Sequence, residues 1–408
     1  MQTTSMQAIS PALRRRLGLP LLVLYGTGIT IGAGIYVLIG AVARHAGSYA
    51  PWSFVIAALA MGFTVASYAE LSTRFPVSAG EAAYVKAAFN SRLIARLTGL
   101  LTVAIGLVSS ATVAVGAAGY VRQFVDIPQN AIIVATVVSL GIVAGWGILE
   151  SVFLASIFTV IEVGGLLWII GAAIHSGVPV VSPLLQPAPD IGSMPGIAFA
   201  SLLAFFAFVG FEDLANVVEE AKVPHRDIPR AMVLTLLIST FLYVAVAGIA
   251  VSAVSVQVLG SSPAPLSAVF HAVTGLNASA IGGIAIVATL NTILAQMTMA
   301  ARVIYGMARQ GDLPRIAGHV HARTATPLLA TVIIVILVMA LAVSFPLERL
   351  AESTSVATLV VFALINAALL RLRHKRVRSE EIHVSVPIWF PAAGLVASVA
   401  MIATALLQ

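Results

Sequence analysis

Eleven apolar runs, each long enough to cross a lipid bilayer as a helix, follow one another along this chain. A helix rises about 1.5 Å per residue, so about 20 residues span the hydrocarbon core. The runs are 20–42, 51–74, 93–121, 130–148, 152–175, 195–218, 230–253, 279–308, 326–345, 354–370 and 386–405. A transmembrane barrel would instead show alternating segments of about ten residues. The sequence therefore predicts an all-α membrane protein with about 11 transmembrane helices.

The composition agrees with a chain that carries no sizeable soluble domain. Of its 408 residues, 60% are hydrophobic and 9% are charged, whereas soluble proteins carry about 25% charged residues. There is no Cys, so neither disulfide bonds nor thiol chemistry is expected. The net charge of +6 comes from basic residues in short loops between the runs. That pattern orients a protein in a membrane, and we expect no nucleic-acid partner.

The basic residues also predict the orientation. Of 22 Lys and Arg residues, all but Arg44, Arg122 and Arg349 fall on the side of the N-terminus. Because Lys and Arg accumulate in cytoplasmic loops, this bias predicts a multi-pass protein of the cytoplasmic membrane with a cytoplasmic N-terminus. The first run is longer than the apolar core of a signal peptide, so we expect it to be retained.

Span 1 contains a glycine-rich stretch, residues 25–36, in which four of twelve residues are Gly. Each Gly costs a helix interior about 1 kcal/mol relative to Ala. A broken helix is tolerated in a membrane only where protein or water surrounds the freed amides. Taken alone, the spacing of Gly28 and Gly32 fits close helix packing equally well.

Span 6 carries a second candidate break near Val209 and Gly210, where aromatic residues precede two acids. Interrupted helices at matching positions in two halves of a chain point to a transporter's binding site. Spans 1 and 6 are five apart, and an odd number of spans per repeat reverses topology. We therefore expect a cytoplasmic tail (1–19), two inverted repeats (20–175, spans 1–5, and 195–370, spans 6–10) and a basic loop with span 11 (371–408).

Glu162 lies near the middle of span 5. An acid at that depth costs about 2.5–3.5 kcal/mol on insertion scales and by default marks a functional site. We expect a group that takes up and releases a proton; a structural acid bonded to a neighbouring helix is the alternative. The stretch 70–81, after span 2, allows a charged cytoplasmic gate or an ordinary polar loop, and locally the loop is favoured.

Four stretches together carry a family resemblance: 28–36, 68–76, 205–212 with 219–224, and 301–314. There the chain resembles the amino acid–polyamine–organocation (APC) superfamily of permeases, whose members have a LeuT-like fold of five plus five helices with broken spans 1 and 6. The resemblance covers spans 1–10, and many members continue to a twelfth span.

The resemblance implies an amino-acid site between spans 1 and 6. The substrate-binding residues it implies are Thr30, Ile31, Gly32, Ala33, Gly34, Phe206, Ala207, Phe208 and Val209. Amides around Ala33 and Gly34 would hold the substrate carboxylate. Carbonyls would hold the ammonium group, at Thr30, Phe206, Ala207 and Val209. Phe206 would act as a lid, although packing explains that aromatic residue equally well, and Glu212 matches a gating acid of relatives.

Two positions depart from the family pattern. Several relatives carry a Lys where this chain has Glu162, and that Lys stands in for a sodium ion; a Glu reverses the charge. Span 8 shows no convincing pair of hydroxyls for a sodium site, because Ala300 and Ala301 lie at the expected place and Thr298 is a weak candidate. We therefore expect no bound metal and no other cofactor.

These features predict a secondary active transporter of amino acids, proton-coupled, working by alternating access. An amino acid/amine exchanger without net proton flux and a non-transporting membrane sensor are the alternatives. An enzyme is disfavoured, since the eight His residues are scattered and form no metal motif. Uncharged residues of spans 3 and 10 favour a small or neutral substrate, namely Val108, Ser109, Ser110, Thr112, Ser353, Thr354 and Ser355. The transported amino acid and the oligomeric state stay open.

Overall fold

The computed structural model describes residues 17–76, 80–146, 152–187, 189–215, 217–309, 311–321, 326–375 and 384–407. Over these ranges the chain is a bundle of helices, which are α1 (Leu19–Ile31), α2 (Gly34–Ala46), α3 (Ala50–Arg74), α4 (Gly80–Phe89), α5 (Arg92–Val121), α6 (Gln129–Trp146), α7 (Val152–His175), α8 (Met194–Phe206), α9 (Pro224–Ala253), α10 (Val256–Ser261), α11 (Pro265–Thr274), α12 (Ser279–Arg309), α13 (Leu328–Ser344), α14 (Leu347–His374) and α15 (Trp389–Leu406). The predicted all-α fold is confirmed.

The described helices account for every predicted span. Span 1 is α1 followed by α2, and span 6 is α8 followed by short 3-10 turns. Among the described residues, 9 helical segments are long and apolar enough to cross a membrane, and three apolar helices are shorter. Parts of the predicted tail (1–16), of the end of span 4 (147–148) and of the basic loop (376–383) lie outside the described residues.

Two spans begin earlier than the apolar pattern indicated. α9 begins at Pro224 and α14 at Leu347, where 230 and 354 were expected. Both helices start with polar turns that an apolar window leaves out. Pro224 and Asp227 suit a first helical turn, since Pro lacks the amide hydrogen that would go unpaired there and the acid complements the helix dipole.

Several helices of the first predicted repeat pack against the matching helix of the second. α5 packs on α12 (spans 3 and 8), α3 on α9 (spans 2 and 7), and α2 on α8 (spans 1 and 6). Small residues allow the close approach, as in other membrane bundles. A Cβ atom at Gly106 of α5 would lie 3.2 Å from the Ala300 Cβ of α12. The relation of the two repeats by an inverted twofold axis stays a prediction.

One end of the bundle carries most of the basic residues, and we call it the basic end. It holds the start of α1, the end of α3, α4, the start of α9 and the end of α14. A short backbone pairing lies there: the Leu17 amide donates to the Glu220 carbonyl at 3.0 Å, and the Lys222 amide donates to the Leu17 carbonyl at 2.8 Å. The start of span 1 is thereby tied to the segment that follows span 6.

The expectation of a polar loop after span 2 is wrong for its first residues. α3 continues to Arg74, and Glu70 is fully buried. Its carboxylate is paired with Arg74 at 2.7 Å and with Arg373 of α14, and it accepts a hydrogen bond from the Val386 amide at 2.9 Å. This cluster, the Glu70 staple, joins spans 2, 10 and 11 at the basic end.

Candidate substrate and coupling site

Span 1 and span 6 are both interrupted in the middle of the bundle. α1 ends at Ile31 and α2 begins at Gly34, and Gly32 between them has a φ of +26°. α8 ends at Phe206, and Gly210 follows with a φ of +125°. Only Gly adopts such angles without strain. Each interruption leaves helix-terminal amides and carbonyls without their usual partners inside the helix.

The two interruptions touch each other through their backbones. A Cβ atom at Gly34 would lie 2.5 Å from the Ala207 Cα, and one at Gly210 would lie 2.6 Å from the Ile29 side chain. Both distances are far below a normal contact, so these glycines are required by the packing. The broken segments therefore form one junction, which we call the break junction: residues 29–34 and 206–210.

All nine residues predicted to bind substrate lie in the break junction. Each of them is buried, including Phe206 at 5% exposure and Val209 at 7%. The Thr30 hydroxyl is among the buried atoms that have no hydrogen-bond partner within the described residues. The structure thus brings the predicted residues together, while their contacts with a substrate stay a prediction.

Tyr243 of α9 holds the junction from the side of span 7. Its hydroxyl lies 2.8 Å from the Thr30 carbonyl and 2.7 Å from the Ala207 carbonyl, so its single hydrogen is shared between one backbone oxygen on each broken span. Its ring is fully buried and packs edge-on against Phe208, with 4.9 Å between the ring centroids. Tyr243 lies within an ordinary apolar run, so no sequence signal distinguishes it.

Span 8 reaches the junction through Thr292. The Ala33 amide donates to the Thr292 hydroxyl oxygen at 3.1 Å, and that hydroxyl donates to the Ala288 carbonyl at 3.0 Å. A Cβ atom at Gly32 would lie 2.4 Å from the same oxygen. Thr298, Ala300 and Ala301, the positions considered for a sodium site, lie about two helical turns further along span 8.

Glu162 of α7 lies directly behind the junction. It is fully buried, whereas Val160, two residues earlier, is 60% exposed on the lipid-facing side. The Asn291 side-chain amide donates to Glu162 Oε1 at 3.3 Å. Glu162 Oε2 is buried and has no hydrogen-bond partner among the described residues. Asn291 is adjacent in sequence to Thr292, so neighbouring residues of span 8 contact the acid and the broken helix.

Further contacts fix α7 against span 1. A Cβ atom at Gly28 would lie 1.9 Å from the Thr159 hydroxyl, and the Tyr36 hydroxyl donates to the Glu162 carbonyl at 2.6 Å. A Cβ atom at Gly165 would lie 2.8 Å from that same Tyr36 hydroxyl. Thr159, Glu162 and Gly165 are spaced by three residues, so they share one helix face. That face is the one turned toward the broken span.

Glu212, the predicted gating acid, lies beyond the junction toward the basic end. Its carboxylate accepts a hydrogen bond from the Gly210 amide at 2.9 Å, so it binds the backbone at the interruption of span 6. It lines a small cavity that also includes Tyr68, Glu81 and Gln296. Glu81 and Gln296 were not singled out from the sequence. Within the described residues, no group of His, Asp and Glu is arranged to hold a metal ion.

Comparisons with known proteins agree with this architecture. A family model described as amino acid permease matches residues 17–407. A branched-chain amino acid permease of Bacillus subtilis is 30% identical over 387 residues, covering 90% of this chain and 82% of the relative. The vacuolar cationic amino acid transporter 2 of Arabidopsis thaliana is 31% identical over 388 residues, and the chain spans 60% of that longer protein.

An uncharacterised transporter of Mycobacterium tuberculosis is 33% identical over 371 residues, covering 89% of this chain and 82% of the relative. The family model spans almost the whole chain, including both broken spans and the span 8 contacts. The resemblance found in the sequence motifs is thereby confirmed. The chain belongs to the amino acid permease family of the APC superfamily.

Proposed function

We propose that this permease carries a neutral amino acid across the cytoplasmic membrane together with a proton, by alternating access around the break junction. The N-terminal end of α2 carries the positive end of a half-helix dipole, and one of its amides, that of Ala33, donates to the Thr292 hydroxyl. The C-terminal ends of α1 and α8 bring carbonyl oxygens to the same place. An amino acid presents a carboxylate and an ammonium group, which match these two kinds of helix end.

In this proposal, the nine junction residues bind the backbone of the amino acid, Phe206 covers it, and Glu212 takes part in gating. The basic end faces the cytoplasm, in keeping with the distribution of Lys and Arg. A neutral substrate is favoured because the junction itself contains no charged side chain. The Glu162 carboxyl group next to it accepts a hydrogen bond from Asn291 through one of its two oxygens.

The proton-coupling role of Glu162 rests on one observation, the pair Asn291 and Thr292. Asn291 donates to the acid at 3.3 Å, and Thr292 accepts from Ala33 of the broken helix at 3.1 Å. A carboxylate accepts hydrogen bonds only, whereas a neutral carboxyl group also donates one. A change in the protonation of Glu162 therefore changes its hydrogen bond with Asn291. The rigid backbone of α12 would pass that change to the break.

The test uses the purified protein in proteoliposomes, with a pH-sensitive dye inside and an imposed substrate gradient. Wild type and Glu162→Gln are compared across a panel with Leu, Ile and Val, small neutral amino acids, and Arg and Lys. Glu352→Gln is the matched control, since Glu352 is paired with Arg349 near the surface. We expect a neutral amino acid to drive proton entry in wild type and control. We expect Glu162→Gln to bind substrate without proton entry.

Two other outcomes would contradict parts of this proposal. Substrate exchange without proton movement in wild type would refute symport and favour the amino acid/amine exchanger. In a second outcome, only the substrates Arg and Lys drive proton entry, and Glu162→Gln no longer binds them. Glu162 would then be a contact for the cationic side chain of the substrate. Names of relatives allow both chemistries, because one is called a branched-chain permease and another a cationic amino acid transporter.

A further inference from the structure

A small enclosed cavity lies on the basic-end side of the break in span 6. Its volume is about 20 Å³, which is room for about one water molecule. Residues with oxygen-bearing side chains line it from six helical segments, namely Tyr68, Glu81, Thr102, Glu212, Asp213, Gln296 and Thr358. No residue of this cavity other than Glu212 takes part in the proposed transport mechanism.

Gln296 of α12 provides an unsatisfied hydrogen-bond acceptor in this cavity. The side chain is 4% exposed, and its Oε1 atom is buried without a partner among the described residues. A buried acceptor that is left without a hydrogen bond destabilises the folded protein. A water molecule in the cavity would donate to this oxygen and have carboxyl groups within the same space as further partners. Buried water typically makes two to four such bonds.

Glu81 and Glu212 are the two acids of the cavity whose contacts are defined. Glu81 is 7% exposed and accepts a hydrogen bond from the Tyr68 hydroxyl at 3.1 Å, while Glu212 accepts from the Gly210 amide. Glu81 lies on α4, outside the membrane-spanning helices, and burial raises its pKa. The Glu81 charge also acts on Glu212. Two neighbouring buried carboxylates resist simultaneous ionisation.

The other charged and titratable groups around the cavity are accounted for. Tyr84 lies beside Glu81 on α4 and is buried. Asp213 and Arg302 each have an interaction partner, and both act electrostatically on the Tyr25 hydroxyl of α1, together with Glu220. Asp213 therefore has an interaction of its own. Glu81 and Glu212 are left as the pair that can hold a proton.

We propose that this cavity is a proton-binding site in which Glu81 and Glu212 share one proton through a bound water that also donates to Gln296. In the proton-loaded state one acid is neutral and donates to the water, and the water donates to Gln296 and to the other, ionised acid. Release of the proton toward the basic end leaves two carboxylates facing each other. Because Glu212 caps the Gly210 amide at 2.9 Å, their repulsion acts directly on the broken end of span 6.

The experiment is an infrared titration of the full-length protein in lipid, with isotope exchange to identify protonated carboxyl groups. We expect a carbonyl band of a neutral carboxyl group that disappears in Glu81→Gln and in Glu212→Gln alike. The double variant Glu81→Gln/Glu212→Gln should lose no more of the band intensity than either single variant, since the two acids share only one proton. Gln296→Leu removes the water's acceptor and should shift the band. Glu348→Gln, at the opposite end of the bundle, is the control and should leave it unchanged.

Three results would overturn the proposal: no such band, a band insensitive to both substitutions, or two separate bands removed one by each variant. If Glu212→Gln fails to fold, Glu81→Gln and Gln296→Leu still test the proposal. The first must remove the carbonyl band, and the second must shift that same band. The outcome is independent of the transport mechanism. Glu162→Gln should leave the cavity band intact, and absence of proton flux in proteoliposomes would refute symport without affecting the band.

Discussion

Replacing Arg373 by Gln should destabilise the protein strongly although this residue lies far from the break junction. Arg373 donates through Nε to Glu70 Oε1 at 3.1 Å and pairs through its terminal nitrogen with Oε2. Glu70 is fully buried, and the Arg373 side chain is only 15% exposed. Breaking a buried ion pair costs about 3–5 kcal/mol, because the remaining charge is left without compensation. Arg74 remains beside Glu70 at 2.7 Å, so we expect the lower value, about 3 kcal/mol.

The chain offers a matched control at the opposite end of the bundle. Arg44 of α2 pairs with Glu348 of α14, and these side chains are 54% and 27% exposed. Solvent-exposed pairs contribute about 0–1 kcal/mol, so Arg44→Gln should have little effect. Each of the two pairs joins a helix of the first half to α14. A difference in the free energy of unfolding between Arg373→Gln and Arg44→Gln therefore measures the effect of burying the ion pair.

The assay is equilibrium denaturant unfolding in detergent micelles, followed by the fluorescence of the four Trp residues. Glu70→Gln and the double variant Glu70→Gln/Arg373→Gln complete a cycle. The double variant should cost less than the sum of the single variants, because residues in one ion-pair network are coupled. Equal stabilities of Arg373→Gln and Arg44→Gln, or strict additivity in the cycle, would refute the reasoning.

Three further substitutions test the break junction. Tyr243→Phe removes the hydroxyl shared by two backbone carbonyls and should weaken amino-acid binding by about tenfold, equivalent to about 1.4 kcal/mol; unchanged affinity in a binding titration would contradict the bridging role. Gly28→Ala should abolish uptake, since its methyl group would lie 1.9 Å from the Thr159 hydroxyl, and Thr159→Ala should restore part of it; failure of this rescue would place the defect elsewhere. Asn291→Leu removes the donor to Glu162 and should lower the proton-to-substrate ratio while exchange persists; an unaltered ratio would argue against the relay through span 8.

The sequence sufficed for the spans and for the location of both breaks, because bilayer thickness and glycine placement are local signals. It did not suffice for the residues that approach the breaks from other helices. One residue of error rotates a helix face by about 100°, and Asn291 and Thr292 carry no local motif, so their contacts with Glu162 and Ala33 follow only from how the helices pack. Glu70 was misjudged because its partner Arg373 lies 303 residues away in the sequence.

The buried acids of this protein differ in how completely they are compensated, and that difference separates structural from functional roles. Both oxygens of Glu70 are engaged, by two Arg side chains and a backbone amide. Glu162 has one weak donor at 3.3 Å and one buried oxygen without a described partner. Glu70→Gln leaves Arg74 and Arg373, both mostly buried, without their counter-ion. Glu162→Gln instead removes a poorly compensated acid from the bilayer interior.

Opposite outcomes therefore follow for the same chemical change. Glu70→Gln should lower the unfolding midpoint, since it leaves Arg74 and Arg373 buried without their counter-ion. Glu162→Gln should leave the midpoint unchanged or raise it, because burying a carboxylate without a charge partner is costly and burying a neutral amide of similar shape costs less. A strong loss of stability in Glu162→Gln would mean that this acid is itself structural. Its role would then be packing of spans 5 and 8, and proton coupling would need another group.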